Sequence, residues 1–384
     1  LLADQGAEVW KIEDPAKLDP VRMYPPFVAA EHGQSAFHLA LNRGKKSMLL
    51  DTRKPEGRAT LLRLVAGADV LVESFRPGIL AKAGLGFADV HAHNPRLVYV
   101  SITGYGQDGP YAQLAGHDLN YQGLAGLLAA TVDPSGAPVH PGLQLADVSG
   151  GAYAAVQATL AALWQRERSG KGQHVDVAMT ESAMAMGTLQ AASEWAALVA
   201  GEATQDPRLH PLGGGLANYG IYRCRDGAYM ALGALEPKFW LRFCAAVSRP
   251  EWASRIGFDP AQQAALRQDL ETLFAERDRA EWIALGTAAD CCLTPVLRST
   301  ELASDPHHQF REAVLAKNAP QTGHDSTDST TGIPGFRAPG RFSSHVFRPS
   351  GEAPTPGQDT NAIMEAAGLS VEECAQLRQD GIVA

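Results

Sequence analysis

Short apolar, β-branched runs alternate with longer stretches whose apolar positions recur at helical spacing through the opening part of the chain. Glu8–Ile12, Ser47–Leu50, Asp69–Glu73 and Leu97–Ile102 predict strands, and Pro55–Gly67 and Ile79–Ala83 predict helices between them. Strands that alternate with helices imply βαβ units, hence an α/β fold with a mainly parallel sheet. A small-residue helix then runs from Asp147 to the charged turn before Gly170, followed by the strand His174–Val177 and a helix from Thr180. Gly201–Gly215, with two prolines and Gly213-Gly214-Gly215, reads as a linker. A hairpin follows, Tyr219–Arg223 and Ala228–Leu232, turned by Arg225-Asp226-Gly227, with helices to about Gly286. Residues 307–348 are rich in Gly, Pro, Ser, Thr and Asp and read as a crossing back, and the tail predicts two short helices.

The pattern divides the chain into a large domain over 1–185, a linker over 186–219, a smaller inserted α+β domain over 220–315, and a return linker with the rest of the large domain over 316–384. The opening LLADQGAEVWKIEDP reads as a last helical turn, a Gly6 cap and a strand, so a strand and most of a helix are expected upstream.

Composition adds exclusions. The chain has 384 residues, 45% of them hydrophobic and 20% charged, which suits a globular enzyme and not a disordered or fibrous chain. A formal net charge of -9 argues against a nucleic-acid partner. No apolar run reaches membrane-spanning length, so no membrane association is expected. The five cysteines show no C-x-x-C spacing, which argues against a disulfide framework or zinc site and fits the cytoplasm.

Candidate chemistry centres on Ala115–Gly151. His117 and Asp147 each head a small-residue-rich segment that reads as the start of a helix, where unpaired N–H groups can hold negative charge. Taken singly, His117 reads equally as a structural histidine, Asp147 as an N-cap, and Glu236 as a loop carboxylate. Together they fit proton removal beside a carbonyl: a base on one face, an acid on the other, and Glu236 to orient the imidazole. Gly150 and Gly151 would leave the amides after Asp147 open to an enolate oxygen. The loops Asn42–Ser47 and Ser74–Gly86 carry Arg43, Lys45, Lys46, Arg76 and Lys82, which alone read as solvated cations.

Across nearly its whole length the chain resembles the family III CoA-transferases, and within them the racemases of α-methyl-branched acyl-CoA. The resemblance rests on LADQGAEVWKIE, NRGKKSMLLD, ADVLVESFRPG, TGYGQDGPYAQLAGHDLNYQ, LADVSGG, RSGKGQHVDVAM, YRCRDGAYMALGALEPKFW and DCCLTPV, in that order. It implies a Rossmann-like large domain with a smaller insertion in an interlocked homodimer, with Glu236 approaching His117 from the partner subunit. It implies His117 and Asp147 as the two catalytic bases, Glu236 as the partner of His117, and a hydrogen bond between Asp118 and Tyr219. Arg43, Arg76 and Lys82 would hold CoA phosphates. An arginine that the family has just after the first strand falls near Asp14 here, so that phosphate contact is missing. Members also begin roughly two dozen residues earlier.

The expected reaction is 1,1-proton transfer at the α-carbon of a 2-methyl-branched acyl-CoA, with the enolate oxygen held by the amides of Asp147–Ser149. No metal or redox cofactor is expected, CoA being part of the substrate. Two alternatives stand beside it: a CoA-transferase with Asp147 as covalent nucleophile, for which His117 and Glu236 are not needed, and an inactive CoA-binding relative.

Overall fold

Val98–Thr103 is the middle strand of a parallel three-stranded sheet, flanked by Val70–Glu73 and His174–Ala178. Its near-continuous burial is what a strand covered on both faces requires. The computed structural model describes residues 1–28, 33–203, 206–315, 333–338, 340–344 and 351–384. A second parallel pair joins Trp10–Glu13 to Lys46–Leu49. These strands fall within a residue or two of the positions predicted from the apolar runs, because each run is short and flanked by residues that favour turns.

The chain divides into two compact units. The first comprises Leu1–Asp118, Leu145–Ser182 and Leu302–Ala384. Both ends of the chain meet in it: Met48, Leu50 and Leu64 share one core with Ile363, Met364, Ile382 and Val383. Leu50 bridges Val383, and the Asp51 amide donates to the Ile382 carbonyl at 2.8 Å. A polar seam lies close by, where Arg22 bonds Glu13 at 2.6 Å and also donates to the Pro354 carbonyl at 3.0 Å. A second core packs the helix Ala154–Ser169 onto Val98, Val100 and Val177.

The second unit comprises Leu119–Gln144 and Ala183–Glu301, more chain than the insertion expected over 220–315. The expected linker 186–219 carries a twelve-residue helix, Thr188–Val199. The hairpin Tyr219–Arg223 and Tyr229–Gly233 forms as read, and Leu293–Pro295 adds a third antiparallel strand. Its core is aromatic: Tyr222 stacks on Phe274 at 4.8 Å between ring centroids, and Phe274 meets Trp282 at 4.5 Å. Trp282 Nε1 donates to the Phe274 carbonyl and Trp240 Nε1 to that of Trp252, so both indoles are buried with their polar atoms satisfied. The crossing expected over 307–348 lies in large part outside the described residues.

Candidate active site

The site begins where the central strand ends. After Thr103 the chain turns through Gly104–Gly106, and the Thr103 hydroxyl accepts the Gly106 amide at 3.1 Å. Gly106 needs its φ of 92°, a conformation that costs other residues strain. The neighbouring strand holds this loop in place. Asp176 Oδ2 accepts the Gln107 amide at 2.9 Å, and Thr180 donates to the Gly104 carbonyl through its amide and its hydroxyl. Tyr105 and Tyr111 pair edge to face further along, and the loop delivers His117 and Asp118 to the first turn of the helix Asp118–Leu124.

Asp147 sits in a nine-residue π-helix, Leu145–Tyr153, which runs directly into the α-helix Ala154–Ser169. A π-helical segment is rare and is frequently found at functional sites. The residue that serves its first amides is Asp118, whose Oδ1 accepts from Ala146 N at 2.9 Å and Asp147 N at 3.0 Å. This corrects two expectations. Asp147 is not the N-cap, since an acceptor from another element takes that place, and its amide is already bonded where an enolate oxygen was expected.

Gly151 is corrected as well. Its missing side chain faces the sheet and not open space: a Cβ there would lie 3.1 Å from Met179 Sδ and 3.6 Å from Ile102 Cγ2. Gly150 is likewise buried. Gly151 therefore lets the π-helix lie close against the strand ends, instead of clearing a path to the amides.

His117 and Asp147 are exposed, and Asp118 is buried. The Asp147 carboxyl is held above the ordinary carboxylate range, first by desolvation and second by the negative charge of Asp118. The charge of His117 acts on it in the opposite direction, so imidazole and carboxyl lie within one electrostatic neighbourhood. A carboxyl shifted this way gives up its proton nearer neutral pH, which suits a group that must both take and return one.

In the second unit Glu236 is the N-cap residue of the helix Pro237–Ala246, yet its side chain makes no capping bond. Its carboxylate is exposed, with Pro237 in the first turn where a proline is tolerated. Tyr219 opens the first strand of the hairpin opposite Gly233 and is half exposed. Cys292 lies nearby, and after desolvation the charge of Glu236 is the main influence raising its thiol.

The basic residues separate into two sets. Arg43 donates to Asp4 at 3.1 Å and to the Phe336 carbonyl, Lys46 pairs with Glu8, and Lys45 donates to Asn42. Burial, helped by the charge of Lys11, brings the Lys45 ammonium down to about 8. Arg76 and Lys82 are exposed and form no ion pair among the described residues.

Sequence reading missed Asp176 and Thr180 as anchors of the loop. The one signal for Asp176 is a carboxylate set between two valines in the strand HVDVA. Among the described residues no group of three or more His, Cys, Asp or Glu is placed to share a metal ion, and no helix is long and apolar enough to cross a membrane.

Known proteins share both the sequence and the fold. Human alpha-methylacyl-CoA racemase is 32% identical over 392 aligned residues, covering 100% of this chain and 92% of that protein. The succinyl-CoA–D-citramalate CoA-transferase of Chloroflexus aurantiacus is 30% identical and covers 100% of this chain and 93% of that protein. The crystal structure of a CaiB/BaiF family protein from Brucella suis superimposes with a TM-score of 0.79 at 31% identity, over 95% of this chain and 93% of that one. The family model described as CoA-transferase family III matches residues 1–360, and the chain belongs to that family.

Proposed function

We propose that this chain interconverts the R and S forms of a 2-methyl-branched acyl-CoA by 1,1-proton transfer through an enolate. The observation that carries the reading is that His117 lies within electrostatic reach of an Asp147 carboxyl of raised pKa. His117 takes the α-proton of the S thioester, and Asp147, protonated, gives one back to the opposite face. For the R thioester the roles exchange. The reaction as proposed calls on no metal or redox cofactor, and CoA enters with the substrate.

Arg76 and Lys82 are the cations best able to meet CoA phosphates, since Arg43 would first have to leave Asp4 and the Phe336 carbonyl. The enolate oxygen needs a donor other than the Asp147 amide. We place Glu236 against His117 across a homodimer, its exposed carboxylate orienting the imidazole. Exposed apolar side chains suit such an assembly: Leu160 and Trp164 along one helix of the first unit, with Tyr153 just before it, and Leu189, Trp195 and Leu198 along one helix of the second. The five free thiols suit a cytoplasmic setting.

A second reading, transfer of CoA with Asp147 as nucleophile, is favoured by the C. aurantiacus relative. Incubation of a short 2-methylacyl-CoA in heavy water separates the two. Deuterium entering the α-position with no added acid supports racemisation, with His117→Ala slowing one enantiomer more than the other. A requirement for an acid acceptor, with a hydroxylamine-sensitive adduct on Asp147, supports transfer and overturns the racemase reading.

A further inference from the structure

We propose that Asp118 is the positioning residue for Asp147, fixing the π-helical register of Leu145–Tyr153 by accepting its first amides and thereby aiming the carboxyl at the reacting carbon. The inference rests on the proposed proton transfer for its consequence, but its geometry stands by itself.

A π-helix spreads its turns more widely than an α-helix and pairs each amide with a carbonyl five residues back, so its first turn leaves amides that need an outside acceptor. Asp118 supplies one oxygen to two of them, Ala146 at 2.9 Å and Asp147 at 3.0 Å. It does so from a buried position, in which an ionised carboxylate persists only when hydrogen-bonded. On the far side the segment is stopped by the sheet, since Gly151 already lies against Met179 and Ile102. Held between these two limits, the π turn cannot slide toward the sheet or relax to α-helical spacing without losing one of the contacts. Asp147 lies inside that turn, so the direction of its side chain follows from the register.

The same bond links position to ionisation. The charged groups acting on Asp147 are Asp118, which raises it, and His117, which lowers it. Asp118 therefore places the carboxyl and helps hold it protonated.

Two substitutions separate the roles. Asp118→Asn keeps an acceptor oxygen and removes the charge; Asp118→Ala removes both. For the Asn variant we expect the acid limb of α-proton exchange from the R substrate to move to lower pH, because Asp147 loses its like-charged neighbour. For the Ala variant we expect kcat to fall about 100-fold across the pH range, the cost of a displaced reacting group, with KM changed less. A second readout needs no reaction: carbodiimide, which reacts with protonated carboxyls, labels Asp147 in the whole protein, and peptide mass spectrometry measures the yield against pH. Labelling of Asp147 in mildly acid buffer should be several-fold lower in Asp118→Asn than in the unsubstituted protein. If labelling and pH limb are both unchanged in Asp118→Asn, or if Asp118→Ala exchanges at the unsubstituted rate, the proposal is overturned. If the unsubstituted protein shows no exchange, the racemase reading fails, and the labelling series alone still decides whether Asp118 governs Asp147.

Discussion

Protonation of Asp147 couples to the stability of the fold. Its folded pKa is raised, so its favourable contribution is complete below the ordinary carboxylate value and is lost as pH rises through the raised one. Asp147→Asn removes that penalty. Its melting temperature should therefore exceed that of the unsubstituted protein at neutral pH and converge with it in strongly acid buffer, while exchange activity is lost. An Asn variant that melts lower at neutral pH would show that the carboxylate is stabilised where it sits. Glu13 has the opposite sign. Burial works to raise it, but hydrogen bonds from Arg22 and the Asp19 amide outweigh that, so its contribution is present at neutral pH and lost on acidification. His117, Asp147 and Glu236 could be named as candidates because residue type and motif order are visible in the sequence. The partner of Asp118 could not, since an amide 28 or 29 positions away leaves no mark on local pattern.

Among the elements, strands were the easiest to read and the π-helix the hardest. Val98–Thr103 is rich in β-branched residues and followed by turn residues, so its type follows from composition. Leu145–Tyr153 is rich in small and apolar residues that suit either helical pitch, and its contacts with Asp118 and Met179 lie far off in sequence. Gly150 and Gly151 show the same limit. Their smallness was evident in the sequence, but whether it served a ligand or a neighbouring strand depended on packing. Gly151→Val should destabilise the protein by about 1–3 kcal/mol in urea unfolding, the usual cost of overpacking, and should depress exchange further than the stability loss alone explains. A valine tolerated without loss of either would mean that Met179 yields freely and that the sheet does not confine the π turn.

For the whole molecule, the division of the chain into two units was partly legible. The hairpin and its aromatic core were marked by turn chemistry and apolar alternation, but the membership of 119–144 was not, because that segment owes its place to contacts distant in sequence. If Glu236 serves His117 across a homodimer, His117→Ala and Glu236→Gln should each be impaired alone, yet restore activity when co-expressed. Half of randomly formed dimers are then mixed and each carries one intact site, so roughly a quarter of full activity is expected. No recovery would place both groups within one chain. The meeting of both chain ends in one core bears on how the protein is made. Leu50 and Met48 leave the ribosome well before the residues that complete their packing, Ile363, Met364, Ile382 and Val383. Until then the early strands expose an apolar face, so newly made protein should depend on chaperones during translation, and a ribosome stalled late in synthesis should display a nascent chain open to protease.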